Sequence, residues 1–158
     1  MATRINIQEA EVEDLPGVFD LLKGLSVHHN MQDKFDITLE QFIKDRELYG
    51  CFIASSEDKQ IIGIATYFFS YHTWVGRSIY LDDLFVKDGY RKKGIGSKLF
   101  ESVIKLAQSE SCARIRWQVA HWNTKAIAFY SKYGAKIDQV ERSCNMNHDA
   151  IYGWKSDR

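Results

Sequence analysis

The sequence has few of the features on which several large protein classes depend. It contains a single proline, and its three cysteines, Cys51, Cys112 and Cys144, lie far apart without a CxxC pair. A disulfide framework or a zinc site built from paired cysteines is therefore disfavoured. The 21 basic and 21 acidic residues cancel, so no overall electrostatic field attracts nucleic acid or an anionic membrane.

Long apolar runs are also missing. No stretch approaches the length of a transmembrane helix, and residues 1–16 lack the apolar segment of a secretory signal. We therefore expect a cytoplasmic protein without a membrane or nucleic-acid partner. The composition is that of a globular protein, with 45% hydrophobic residues, and 158 residues suit one domain over 1–158.

Hydrophobic periodicity predicts strands and helices in a definite order. Ile5 and Ile7 alternate with polar residues in a first strand, and Pro16 lies at the start of a first helix. Thr38 and Gln41 form a capping box before a second helix. The order β-α-α-β-β-β-α-β-α-β(β) indicates an α/β (α+β) fold, with about four helices on the faces of a mixed sheet of six to seven strands. The later elements are a hairpin over 50–72, a strand over 77–86, a helix over 96–111, a strand over 113–122, a helix from 123 that stops at 134, and one or two closing strands.

A glycine turn, GYRKKGIGSKLF at residues 89–100, joins a predicted strand to a predicted helix. Backbone N–H groups at such a helix start form an anion site. Gly94 and Gly96 let a ligand approach the backbone closely, while the cations of Arg91, Lys92 and Lys93 add favourable charge. A solvated basic turn that only caps the helix is the alternative interpretation.

Three phosphate-binding motifs compete for this turn. The P-loop fails because Ile95 and Gly96 stand where it requires Lys and Ser or Thr. The dinucleotide fingerprint fails because Leu99 replaces its third glycine. The third motif, Arg or Gln followed by two residues, Gly, one residue and Gly or Ala, is complete at residues 91–96. It resembles the pyrophosphate loop of the GCN5-related N-acetyltransferases (GNAT), which bind the diphosphate of coenzyme A.

The resemblance to this family covers nearly the whole chain. The predicted element order is similar, and WNTKAIAFYSKYGA at residues 122–135 resembles a second family signature of Asn, Tyr and Gly-Ala. Residues 67–86 and 90–103 are similar to the diamine (spermidine/spermine) and thialysine acetyltransferase branch. The resemblance implies the GNAT fold with a mostly antiparallel sheet, acetyl-CoA as cosubstrate and a homodimer.

The resemblance also implies a set of cofactor-binding residues. Backbone groups of Leu84, Phe85 and Val86 would hold the thioester and the pantetheine arm. Tyr130, two helical turns after Asn123 and nearly on the same face, would protonate the departing thiolate, although its ring could simply pack against the sheet. The other implied contacts are Arg91, Lys92, Lys93, Gly94, Ile95, Gly96 and Ser97 at the pyrophosphate, and Asn123 and Lys125 at the rest of the cofactor.

Asp82 and Asp83 are the candidate acidic residues of the site. Strand alternation predicts opposite faces, Asp82 with Tyr80 and Asp83 with Leu81 and Phe85, so the two acids would not form a carboxylate pair. In the diamine branch the first position is usually a Glu that acts as base through water, and the second is an Asp that meets the substrate cation. The shorter Asp82 makes a bridging water more necessary. A structural capping role for one of the acids is the alternative.

The acceptor is expected to be a primary amine of a small molecule. Trp74 could contact a cationic amine, and His28 and His29 stand in a loop where relatives carry acids. Less negative charge means a weaker attraction for a long polyamine, so a shorter diamine, a thialysine- or lysine-like amine, or another small amine stays open as the acceptor. The adjacent histidines lack a third ligand at metal-binding spacing, so we expect no metal.

The expected reaction is direct attack in a ternary complex, since no cysteine lies in a nucleophile motif. Two other functions stay open at this point. One is acetylation of a protein N-terminus or lysine, and the other is a non-catalytic CoA-binding module.

Overall fold

The computed structural model describes residues 5–140 and 144–154. Its strands are β1 (Asn6–Glu9), β2 (Gly50–Ser55), β3 (Ile61–His72), β4 (Gly76–Val86) and β5 (Arg114–Arg116). Its α-helices are α1 (Leu15–His28), α2 (Leu39–Lys44), α3 (Ile95–Ser109), α4 (Thr124–Ser131) and α5 (His148–Gly153). Short 3-10 turns occur at Val12–Asp14, Gln32–Lys34 and Arg46–Leu48.

The strands form one sheet in the order β1-β2-β3-β4-β5. Neighbours from β1 to β4 are antiparallel, whereas β4 and β5 are parallel because α3 carries the chain back between them. The mixed, mostly antiparallel sheet with flanking helices confirms the predicted fold class. The described residues form five strands, fewer than the six to seven that were predicted.

One face of the sheet, which we call the α1 face, packs against α1. Ile53, Ile64 and Phe85 are neighbours across β2, β3 and β4, and directly paired residues point to the same face. They belong to one buried cluster with Val18 and Phe19 of α1. The cluster also contains Leu15, Leu21, Phe42 of α2 and Cys51.

The opposite face, which we call the α3 face, packs against α3. Gly63 lies on this face because it precedes Ile64 in the strand. A Cβ on Gly63 would lie 3.0 Å from Leu99 and 3.3 Å from Ile95, both fully buried on α3. Glycine at this position therefore lets the helix approach the sheet closely.

The chain divides into two compact units, residues 1–118 and 119–158. The first unit contains the sheet and helices α1 to α3, and the second contains α4 and α5. In the second unit the Asn123 side chain accepts a hydrogen bond from Ala126 N–H (3.2 Å), which confirms the predicted cap of α4. The helix ends at Ser131, shortly before the predicted stop at Gly134.

Two strand predictions are wrong within the described residues. The strand predicted over 113–122 has only three residues, and its pairing with β4 ends at Tyr80, just before β4 bulges. The closing strands are replaced at 148–153 by α5, which begins where the Asn147 side chain accepts a hydrogen bond from Ala150 N–H (2.9 Å). Residues 141–143 of that predicted segment lie outside the described residues.

Across the parts of the chain that the structure describes, each helix is too short or too polar to cross a bilayer.

Candidate active site

A β-bulge in β4 shapes the centre of the site. Thr66 of β3 pairs with Asp83 and Tyr67 pairs with Leu81, so Asp82 is the extra residue. Paired residues share a face, so Asp83 lies on the α1 face with Thr66, while Leu81 lies on the α3 face with Tyr67. The prediction that Asp83 shares a face with Leu81 is therefore wrong, because the bulge shifts the alternation by one residue.

Asp83 is half-buried on the α1 face and bonded to Thr66. The Thr66 hydroxyl donates to the Asp83 carboxylate (2.8 Å) and accepts from the Asp83 backbone N–H (3.0 Å). Burial, and then the nearby Asp82 charge, raise the pKa of Asp83 to about 6 against the opposing effect of the Thr66 hydrogen bond. The carboxyl can therefore change charge close to neutral pH.

Asp82 lies at the bulge with part of its surface in solvent. Protein atoms around its carboxyl still remove enough water to raise its pKa. Burial raises the pKa of the nearby Tyr80 hydroxyl, and the charge of Asp82 also raises it. The charge of Asp82 acts on both Tyr80 and Asp83 and raises the pKa of each. A carboxyl with a raised pKa is a better proton acceptor than an ordinary one.

The carboxyl end of β4 has backbone donors on its outer edge. Lys87 N–H donates to Ile62 of β3 (2.9 Å), and N–H directions alternate along an antiparallel strand. The N–H groups of Leu84 and Val86 therefore point away from β3. On that edge β5 pairs only with Ser78–Tyr80, so its pairing stops short of these donors. Such an opening suits backbone recognition of a ligand, as predicted for residues 84–86.

The glycine turn has the backbone geometry of an anion site. Gly89 (φ 80°), Lys92 (φ 62°) and Gly94 (φ 76°) adopt left-handed conformations that turn the chain sharply into α3. The first intrahelical bond runs from Lys98 N–H to the Gly94 carbonyl (3.1 Å). The N–H groups of residues 95–97 consequently have no carbonyl upstream in the helix to bond, and they carry the positive end of its dipole.

Gly96 serves a different purpose from Gly94. Its backbone conformation is open to any residue, and a Cβ built on it would touch only Val86 Cγ2, at 3.9 Å. The protein therefore leaves space above Gly96 that a side chain could fill. A bound diphosphate would approach the backbone through this space.

The Arg91 side chain folds back over the end of β4. Its Nε donates to the Val86 carbonyl (2.8 Å), and its Nη1 is 3.2 Å from the carboxylate of Asp88. Its guanidinium also lies 5.3 Å from the centre of the Phe85 ring. These contacts fix the Arg91 side chain against the end of β4, and its predicted contact with the pyrophosphate stays a prediction. Lys92 and Lys93 are exposed at the turn surface.

His28 and His29 lie at the end of α1, near Phe85 and Arg91. The His28 ring is 6.2 Å from the Phe85 ring and 5.5 Å from the His29 ring. Burial, then the charges of His28 and Arg91, lower the pKa of His29. Since Phe85 and Asp83 share the α1 face, the structure brings the predicted histidines toward one of the two predicted acids.

Trp74 is placed away from these residues. It lies in the turn between β3 and β4 and is 91% exposed. Its backbone N–H donates a hydrogen bond to His72 Nδ1 (3.3 Å). Between Gly76 and Asp83 the strand rise gives a separation of about 20 Å. Within the chain, the predicted aromatic contact is not brought to the acidic residues.

The remaining predicted contacts belong to the second unit. Tyr130 lies on α4, half-buried, and Lys125 is exposed on the same helix. The Asn123 side-chain oxygen accepts the cap bond from Ala126 N–H, and its predicted contact with the cofactor stays a prediction.

Thr66 is the site residue that sequence reasoning missed. It is 5% exposed, and it alternates with the apolar Ile64 and Phe68 on the α1 face. The sequence did contain a sign of its role: Thr66 is a polar residue among apolar ones on a buried strand face, and a buried hydroxyl needs a hydrogen-bond partner.

The turn fits the diphosphate of coenzyme A by the chemistry of its donors. Backbone N–H groups of residues 95–97, the space above Gly96 and the cations of Lys92 and Lys93 suit an anion. In the described ranges, no three His, Cys, Asp or Glu side chains are grouped to hold a metal ion.

Comparison with protein families matches residues 15–135 to the Acetyltransferase (GNAT) family. The chain belongs to this family. The resemblance drawn from the glycine turn is thereby confirmed, and the protein is an N-acetyltransferase. Thialysine N-epsilon-acetyltransferase of Bos taurus is 32% identical over 143 residues, covering 84% of each chain. Spermidine/spermine N(1)-acetyltransferase-like protein 1 of Homo sapiens is 31% identical over 139 residues, which are 82% of this chain and 20% of that protein.

Solved structures agree with the fold of this family. An integron cassette protein from V. cholerae superimposes with a TM-score of 0.77 at 19% identity, covering 94% of this chain and 96% of that one. An aminoglycoside acetyltransferase from an uncultured soil metagenomic sample has a TM-score of 0.77 at 20% identity, covering 90% of this chain and 97% of its own. At these identities the similarity is one of fold.

Proposed function

We propose that this acetyltransferase uses acetyl-CoA to acetylate a primary amine of a small diamine or a thialysine- or lysine-like amino acid. The observation that carries the proposal is the start of α3. Gly94 is left-handed there, the N–H groups of residues 95–97 have no upstream carbonyl to bond, and the space above Gly96 is open. A diphosphate needs this combination of donors, dipole and close approach.

The acceptor class is supported by the balance of charge on the α1 face. The bulge on this face holds the carboxylate of Asp83, while His28, His29 and Arg91 lie near Phe85. The Asp83 carboxylate suits one further cationic group on the acceptor, whereas a long polyamine would also meet the Arg91 cation. The names of the relatives agree, since they include enzymes for thialysine and, in Arabidopsis thaliana, for L-ornithine at 33% identity over 95 residues.

The protein's own groups could carry each proton transfer. Asp82, whose pKa is raised by burial, would accept a proton from the incoming amine through a bridging water. The N–H groups of Leu84 and Val86 would stabilise charge on the thioester oxygen as the amine attacks. The Tyr130 hydroxyl would return a proton to the departing thiolate, a role that rests on the matching Tyr of the family signature. Attack is direct, in a ternary complex.

Thiol release from acetyl-CoA tests this proposal across a panel of acceptors. The panel contains putrescine, spermidine, spermine, thialysine, lysine and peptides with a free N-terminus. We expect the highest kcat/KM with thialysine, lysine or putrescine. Highest activity with peptides would replace the proposal by a protein N-acetyltransferase. CoA binding in calorimetry without thiol release from any acceptor would replace it by a non-catalytic CoA-binding module.

We further propose a cytoplasmic homodimer with one acetyltransferase domain in each chain, as the family resemblance implies. Light scattering on the purified protein measures the assembly, and a monomer at micromolar concentration would contradict it.

A further inference from the structure

We propose that Thr66 is a positioning residue for acceptor recognition, whose hydroxyl holds the Asp83 carboxylate in place for the second cationic group of a diamine-type acceptor. This inference rests on the proposed function, because it assigns the carboxylate to the acceptor. The acceptor chemistry is a molecule with two amino groups, of which one reacts and the other stays charged.

The first support is the double contact of one hydroxyl. The Thr66 hydroxyl donates to Asp83 Oδ2 (2.8 Å) and accepts from the Asp83 backbone N–H (3.0 Å). It therefore holds the side chain and the main chain of the same residue. At a bulge the ladder bonds are locally disrupted, so a side-chain hydroxyl can satisfy the N–H that has lost its strand partner.

The second support is the absence of a cationic partner for Asp83 within the described residues. No described cation lowers the pKa of its carboxyl or forms an ion pair with it. A half-buried carboxylate is costly unless a cation or hydrogen bonds compensate it. The Thr66 hydrogen bond supplies part of that compensation, and an amine of the acceptor would supply the rest.

The other charged groups near Asp83 do not take this role. Asp82 on the same strand has the same sign, and the Cys51 thiol on β2 stays protonated because burial raises its pKa to about 12. From the α1 side, His28 lies against Phe85, and His29 experiences the charge of Arg91. Asp14, at the start of α1, is a second carboxylate whose charge reaches Cys51, whereas Asp83 is the carboxylate held at the bulge, where an incoming ammonium would meet it.

Removing the Thr66 hydroxyl should weaken the binding of acceptors that carry a second amine and leave the binding of simple amines unchanged. Thr66→Val keeps the shape of the side chain but leaves the Asp83 N–H and carboxylate without their shared partner. We expect the KM for thialysine and putrescine to rise about 10-fold, while the KM for propylamine, which has no second amine, stays within about 2-fold. The KM for acetyl-CoA should also stay within about 2-fold.

Thr66→Ser is the matched control, because it keeps the hydroxyl and loses only a methyl group. It should restore the KM for thialysine and putrescine to near the value of the unmodified protein. In an Asp83→Asn background, Thr66→Val should add no further rise, since the hydroxyl acts through the carboxylate. Equal rises for diamines and propylamine, or no rise for any of them, would overturn the proposal.

A titration of the Asp83 carboxyl by NMR separates this inference from the proposed function. Because the Thr66 bond opposes the rise in pKa, the midpoint for Asp83 should move upward by about one pH unit in Thr66→Val and stay in place in Thr66→Ser. A shifted midpoint without any acetylated amine would refute the proposed function but leave the contact intact. An unchanged midpoint would refute the role of Thr66. If Thr66→Val does not fold, Thr66→Ala in the same titration answers the question.

Discussion

The two faces of the sheet are used differently. On the α3 face Gly63 lies close under Leu99 and Ile95 of α3, and Leu81 and Tyr67 are buried on the same face. On the α1 face the apolar cluster is interrupted by Thr66 and Asp83, which bond to each other at the bulge. The α3 face therefore stabilises the fold by close packing, while the α1 face gives up some stability to hold a carboxylate. In β4 the bulge at Asp82 lies between Leu81, which is buried on the α3 face, and Asp83, which lies on the α1 face.

The largest expected effect comes from breaking the tight α3 face at Gly50. A Cβ on this residue would overlap the Tyr67 ring, whose hydroxyl donates to Glu9 (3.0 Å). Tyr67 is buried and cannot move without losing that bond. We expect Gly50→Ala to lower the free energy of unfolding by about 3 kcal/mol or more, measured by urea denaturation.

Gly24→Ala is the control for that substitution. Gly24 is exposed on α1, and nothing lies within 4 Å of a Cβ built there. Its replacement should stabilise the protein by about 0.5–1 kcal/mol. Equal effects of the two changes would contradict the packing described for the α3 face.

The second expected effect is a gain of stability when the α1 face loses its carboxylate. Asp83 has a pKa of about 6 in the folded protein against an ordinary 3.8, so the folded state holds the proton more tightly. Its contribution to stability is therefore fully present below the lower value and is lost as the pH rises through about 6. Asp83→Asn should raise the free energy of unfolding by up to about 2.5 kcal/mol at pH 7.5, and by much less at pH 4.

Denaturation curves at the two pH values measure that difference. The same variant should lose activity toward diamines, because the acceptor loses its counter-charge. If Asp83→Asn destabilises the protein equally at both pH values, the pKa of Asp83 is not raised in the folded state.

The third effect separates the two glycines of the turn. Gly96→Ala should raise the Kd for CoA about 10-fold with little change in Tm, because the new methyl group fills the space through which the diphosphate approaches. Gly94→Ala, in contrast to Gly96→Ala, should also lower the free energy of unfolding by about 1–2 kcal/mol, since an L-residue is strained at φ 76°. Calorimetry and thermal melts distinguish the two, and a loss of stability without a change in CoA affinity at Gly96 would contradict the site.

The smallest effect concerns the cysteines. Cys51 is buried in the α1 cluster and has a pKa of about 12, whereas Cys144 is exposed. Iodoacetamide at pH 7.5 should modify Cys144 rapidly and leave Cys51 unmodified until the protein unfolds. Peptide mass spectrometry over a time course checks the order, and early labelling of Cys51 would show that the α1 face opens.

Local chemistry in the sequence was enough to predict the features that depend on neighbouring residues. The caps at Thr38 and Asn123 are confirmed, as Gln41 N–H bonds to Thr38 Oγ1 (3.2 Å) and Ala126 N–H bonds to Asn123. The helix after the glycine turn covers Ile95–Ser109, so it begins one residue before the predicted start at 96 and ends two residues before the predicted end at 111. The order of elements up to α4 is also confirmed.

Features that depend on strand pairing could not be read from the sequence. The bulge at Asp82 is a matter of register with β3, and two adjacent aspartates give no sign of which one is the extra residue. The pairing of β5 with β4 ends at Tyr80, just before the bulge, although Ile115, Trp117 and Val119 alternate as a longer strand would. The fold-back of Arg91 onto Val86 likewise requires the three-dimensional path of the turn.

The measurement that tests the central claim most directly is a ¹⁵N-labelled NMR titration with CoA, using pantetheine as the control that lacks the diphosphate. We expect CoA to give its largest amide shifts at Ile95, Gly96 and Ser97, and pantetheine to leave these three amides in place. CoA shifts that spare these residues, or no binding at millimolar CoA, would contradict the assignment of the glycine turn as the diphosphate site.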